Sequence, residues 1–118
     1  MDDKSFISAL HEISNTLGQL SLQATEPDDP LAFPEPRTEA EIAQFEKQLS
    51  VIRSQVGEEL HPLLKTALRD YNAGFPDRVG AYLVELIEKV QKESSYAQDF
   101  SADSQRQVNF YLTDLREL

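Results

Sequence analysis

Hydrophobic residues in this chain recur at alternating spacings of three and four, which is the period of one face of an α-helix. One such stripe spans residues 3–22 and a second spans residues 39–56, whereas no segment sustains the two-residue alternation of a β-strand. The first stripe consists of Phe6, Leu10, Ile13, Leu17 and Leu20, and the second consists of Ile42, Phe45, Leu49, Ile52 and Val56. The pattern therefore predicts two long amphipathic helices in the first half of the chain.

The second half of the chain continues the helical pattern. Gly57 and Pro62 interrupt it, because proline lacks an amide hydrogen and its ring clashes with the carbonyl four residues back. A short apolar face then stops before Gly74, a residue typical of helix ends, and Pro76 opens the next helix. The remaining apolar faces are Leu60, Leu64, Ala67, Leu68 and Tyr71, then Val79, Tyr82, Leu83, Leu86, Ile87 and Val90, and finally Val108, Tyr111, Leu112, Leu115 and Leu118. Four long helices with a short one between them are predicted.

Helix starts are marked by residues that can satisfy the free amide groups of a first turn. Thr38 with Glu41 has the spacing of a capping box, and Ser101 or Ser104 can cap the last helix. Short connections and narrow stripes predict an all-α fold, an antiparallel helical bundle of four to five helices in a single domain of residues 1–118. The first stripe is also heptad-like, so a homodimer built on it is an alternative, although packing in the chain's own core is favoured.

The segment between the first two helices is rich in proline and acid. Residues 25–41 read TEPDDPLAFPEPRTEAE and contain four of the six prolines, which predicts an acidic Pro-rich loop over residues 24–37. Residues 26–46 hold seven acids and one base, a net charge of −6, while the other 97 residues hold 14 acids and 10 bases, a net charge of −4. Elsewhere acids have bases one turn away, as in the pairs Glu85 with Lys89 and Glu88 with Lys92.

Two apolar residues, Leu31 and Phe33, lie in the middle of this acidic segment, where a solvated linker has no need of them. Prolines reduce the disorder that is lost on docking, and acids can form a polar rim that steers a basic partner. We therefore predict a partner-binding surface; a plain linker, and packing of the two apolar residues on the bundle, are the alternatives. The predicted binding residues are Glu26, Asp28, Asp29, Leu31, Phe33, Glu35, Glu39 and Glu46.

The sequence offers little equipment for catalysis. It has no cysteine, which excludes disulfides and thiolate ligands, and its four glycines are isolated, so no glycine-rich phosphate loop is present. His11 lies off the first stripe, where we expect it to face solvent. Glu58 with His61 has the Glu-x-x-His spacing of di-iron bundles but lacks the second pair that such a site needs. We expect a protein that is not an enzyme and that holds no metal or cofactor.

The formal net charge of −10 limits the classes of partner. Such a surface repels phosphate backbones and anionic lipids, so we expect neither nucleic acid nor membrane as a partner. The first residues lack the pattern of a secretory signal, and no run approaches the roughly 20 apolar residues of a membrane span. These features predict a soluble, cytoplasmic protein whose partner is a protein with a basic surface.

Residues 46–54, EKQLSVIRS, resemble a helix in small helical immunity proteins that protect bacteria from type VI secretion toxins degrading nicotinamide dinucleotides. The resemblance covers nine of 118 residues and implies a toxin as the basic partner. The leading hypothesis is therefore a binding protein that masks a basic surface. The alternative is a secretion chaperone or adaptor that holds a partner's segment in an apolar groove, using the first stripe and the aromatic residues after position 70, most of which we otherwise expect in the core.

Overall fold

The computed structural model describes residues 2–25 and 37–118, and these residues form six α-helices and one turn of 3-10 helix. The helices are α1 (Asp3–Thr25), α2 (Glu39–Arg53), α3 (His61–Ala73), α4 (Pro76–Gln91), α5 (Ser94–Asp99) and α6 (Ala102–Arg116), and the 3-10 turn is Glu58–Leu60. No β-strand occurs in the two described ranges. The predicted all-α class is confirmed, and the predicted number of four to five helices is too low.

The departures from prediction concern helix ends and one additional helix. α2 ends at Arg53 rather than at residue 56, because Gly57 has an extended backbone (φ −67°, ψ 157°) and precedes the 3-10 turn. The apolar periodicity does not predict α5, since its six residues are too few to display a helical repeat. Tyr96 in α5 and Phe100 just after it are buried, and their ring centroids lie 4.6 Å apart. Two aromatic anchors thus hold this short helix on the bundle.

The helix caps agree closely with the sequence. The Glu41 amide donates to Thr38 Oγ1 at 3.1 Å and the Thr38 amide donates to Glu41 Oε1 at 3.3 Å, which completes the predicted capping box of α2. Ser101, not Ser104, caps α6, and its hydroxyl oxygen accepts from the Ser104 amide at 3.2 Å. Gly74 ends α3 in the left-handed region at φ 85°, where glycine has no steric penalty.

The core is built from the predicted stripes. Phe6, Leu10, Ile13 and Leu17 of α1 are all 0% exposed, so the first stripe packs in the chain's own core and is not available to a second copy. The stripe also cannot form the apolar groove of the alternative hypothesis, for the same reason. The other helices contribute Phe45, Leu49 and Ile52 from α2, Leu64, Ala67 and Tyr71 from α3, Val79, Leu83, Leu86, Ile87 and Val90 from α4, and Val108, Leu112 and Leu115 from α6.

The first and last helices run parallel to each other. Three side-chain contacts join them at a sequence offset of 100 or 101 residues, namely Asp3 with Ser104, His11 with Tyr111 and Ser14 with Asp114. Contacts between α4 and α6 have the reverse order, Gln91 with Asn109 and Glu88 with Arg116. The α1–α6 pair therefore departs from the predicted antiparallel arrangement. Five long helices that alternate in direction around a ring must bring the first and the fifth together in parallel.

The predicted acidic loop over residues 24–37 falls almost wholly outside the described residues. α1 continues to Thr25, so the predicted loop start at residue 24 is too early. At the other end, Arg37 stands directly before the Thr38 cap. The described part of the acidic segment is therefore its C-terminal flank, which forms the first turns of α2.

Candidate partner-binding site

Two of the eight predicted binding residues, Glu39 and Glu46, lie among the described residues, and both are exposed on α2. They are seven positions apart, close to two helical turns, so they share one face of the helix at roughly 10 Å along its axis. The other six lie outside the described residues and are Glu26, Asp28, Asp29, Leu31, Phe33 and Glu35. The structure thus places the C-terminal end of the acidic segment on a fixed helical surface.

Neither the Glu39 nor the Glu46 carboxylate has a salt-bridge partner in the part of the chain that the structure describes. Four acids elsewhere in the described ranges are in salt bridges, namely Asp70, Glu85, Glu88 and Asp103. Lys89 Nζ lies 3.4 Å from Glu85 Oε1, as the sequence predicts. Glu88 instead pairs with Arg116 of α6 rather than with the predicted Lys92, because α6 lies alongside α4. The exposed face of α2 therefore keeps more of its negative charge than α4 does.

Glu41 is also an acid in the first turn of α2, but its carboxylate has a structural role. Its carboxylate accepts from the amide and hydroxyl of Thr38, the latter at 3.0 Å, so it stabilises the start of α2. It also acts on Tyr71 of α3. Burial raises the pKa of the Tyr71 hydroxyl, and the negative charge of Glu41 raises it further, while Arg37 opposes the shift. The first turn of α2 is thus coupled to the core beneath it.

α2 is fixed to α3 by an aromatic stack directly below the acidic face. The rings of Phe45 and Tyr71 are nearly parallel, 18° apart, with centroids separated by 4.0 Å. Both side chains are buried, at 2% and 1% exposure. Stacked aromatic pairs add about 0.5–1.5 kcal/mol beyond the burial of their area. This contact holds Glu39 and Glu46 on a rigid support rather than on a loop.

A groove of about 680 Å³ lies between α2 and α3 beside this acidic face. Its α2 side includes Glu46 and three further residues of the 46–54 segment, and its α3 side includes two leucines and a lysine. The lining residues are Glu46, Leu49, Ser50, Arg53, Glu58, His61, Pro62, Leu64, Lys65 and Leu68. Hydrophobic periodicity does not reveal this groove, because the periodicity describes each helix alone and the groove depends on how two helices diverge.

The two histidines have hydrogen-bond partners of their own. His61 Nε2 lies 3.1 Å from the Arg53 carbonyl oxygen, to which it can donate, and it closes the end of the α2–α3 groove. His11 is exposed as expected, and its ring nitrogens lie 2.9 Å from Tyr111 Oη and 3.2 Å from Asn15 Nδ2. Within residues 2–25 and 37–118, no three histidine or acidic side chains come together as a set of metal ligands.

Most of the aromatic residues after position 70 pack in or against the core, as the sequence predicts. Phe110 and Tyr111 point in different directions, and Phe110 is 61% exposed while Tyr111 is half-buried. Phe75 is 41% exposed at the start of α4, where the Arg78 guanidinium lies 4.4 Å from its ring centre. Phe75 stands at the start of α4 and Phe110 lies on α6, and the other aromatic residues after position 70 are buried or half-buried.

No protein-family model, curated protein or solved structure matches this chain. The helices that the structure describes include none with the length and apolar character needed to cross a bilayer.

Proposed function

We propose that this chain is a small acidic binding protein that masks a basic surface of a protein partner, most specifically an immunity protein that neutralises a bacterial toxin. The observation that carries the proposal is the exposure of Glu39 and Glu46 on one face of α2 with no salt-bridge partner among the described residues. Both residues belong to the segment 26–46, whose net charge is −6. The likeness of residues 46–54 to a helix of immunity proteins supports the more specific form.

The chemistry of masking follows from this arrangement. A toxin that acts on an anionic substrate, such as a nucleotide, has basic groups in its cleft. Carboxylates on a rigid helix can occupy the places of the substrate's negative charges, and they lose little conformational entropy on binding. The surrounding negative field would raise the association rate about tenfold to a thousandfold at low salt. The leucine and phenylalanine at positions 31 and 33 are proposed as apolar anchors.

The first experiment identifies the partner. The tagged chain is used to capture proteins from a lysate of the native host, and mass spectrometry identifies what is retained. The partner is then purified, and its affinity is measured by calorimetry for the wild type and for the Glu39→Lys, Glu46→Lys double variant. We expect the double variant to bind at least about tenfold more weakly, because rim and interface charges contribute to complementarity.

A matched control separates a specific site from overall charge. Glu12 and Glu117 are exposed acids on α1 and at the end of α6, and replacing both by lysine changes the net charge by the same amount. This control should bind nearly as well as the wild type. Equal loss in both double variants, or no loss in either, would contradict the assignment of α2 as the binding surface. Masking also requires that an added excess of this chain inhibits the partner's activity.

The α2–α3 groove supports a second candidate function, a chaperone or adaptor that holds a segment of its partner. Ser50 is exposed within the groove, and a Ser50→Trp substitution would fill part of the 680 Å³ space. Under this candidate Ser50→Trp abolishes binding, Glu39→Lys does not, and high salt has little effect. Under masking, affinity falls steeply with salt because screening acts on exposed charges.

A further inference from the structure

We draw no further inference here: the strongest candidate, the outer face of the C-terminal half of α1 where Leu22 is exposed beside the groove between α1 and α6, carries none because nothing in the described part of the structure shows what covers it.

Discussion

Two glycines inside helices should respond to the same substitution with opposite signs. Gly18 lies in α1 and Gly80 in α4, and an alanine at either position would favour the helix by about 0.5–1 kcal/mol. At Gly18 the added methyl group meets no atom of the described residues within 4 Å. Gly18→Ala should therefore raise the free energy of unfolding of the monomer by about that amount.

Gly80 lies where α4 approaches the last turn of α6. A Cβ there would be 2.7 Å from the Leu115 carbonyl oxygen and 2.9 Å from Leu118 Cδ1, whereas ordinary contacts begin at 3.4 Å. The backbone of α6 must then retreat by about 0.7 Å, the difference between those distances. Overpacking of this kind costs about 1–3 kcal/mol. Since the helix-propensity gain is common to both variants, the difference between them isolates the packing cost at Gly80.

Thermal unfolding followed by circular dichroism measures this difference. For a chain of this size, about 1–3 kcal/mol corresponds to a separation of about 4–12 °C between the two melting temperatures, with Gly18→Ala the higher. The measurement is made at a concentration where light scattering gives a monomer, so that self-association does not contribute. Two variants with the same melting temperature would refute the close approach of α4 and α6 at Gly80.

Three further predictions concern the capping box, a buried tyrosine and the contact between the starts of α1 and α6. Thr38→Ala removes the α2 cap and should lower the free energy of unfolding by about 1 kcal/mol in urea titrations. Because the pKa of Tyr71 is raised in the folded state, its contribution to the free energy of unfolding is fully present below about pH 10 and is lost as the pH rises through the folded-state pKa. Guanidinium titrations should therefore show that alkaline pH destabilises the wild type more than Tyr71→Phe. Ser104→Ala removes a 2.6 Å hydrogen bond to Asp3, and it should cost about 1–3 kcal/mol and speed amide hydrogen exchange in the first turn of α1.

Much of the fold follows from local signals in the sequence. The stripes of α1, α2, α4 and α6 and the cap at Thr38 depend on residues within one or two turns of each other, so a sequence pattern is sufficient to find them. The pattern cannot show how helices are placed side by side. Glu88 pairs with Arg116 instead of Lys92, and α1 lies parallel to α6. Both features depend on contacts between residues that are distant in sequence.

The candidate site was predictable in its charge but not in its shape. The acids of residues 26–46 can be read directly from the sequence. Glu39 and Glu46 share an exposed helical face because they are seven residues apart, which is close to two turns of an α-helix. The α2–α3 groove arises from the separation of two neighbouring helices. The openness of Gly18 and the tightness of Gly80 likewise cannot be told apart from two isolated glycine letters.

The pairing of α1 with α6 has a consequence for how the chain folds during its synthesis. Residues that contact each other at an offset of 100 or 101 positions meet only after the later of the two has left the ribosome. Until residues 102–116 emerge, one flank of α1 lacks its neighbour and its apolar side chains stay open to other proteins. A nascent chain that stalls before α6 would therefore be a client for chaperones, and final consolidation of the core would wait until α6 has been synthesised.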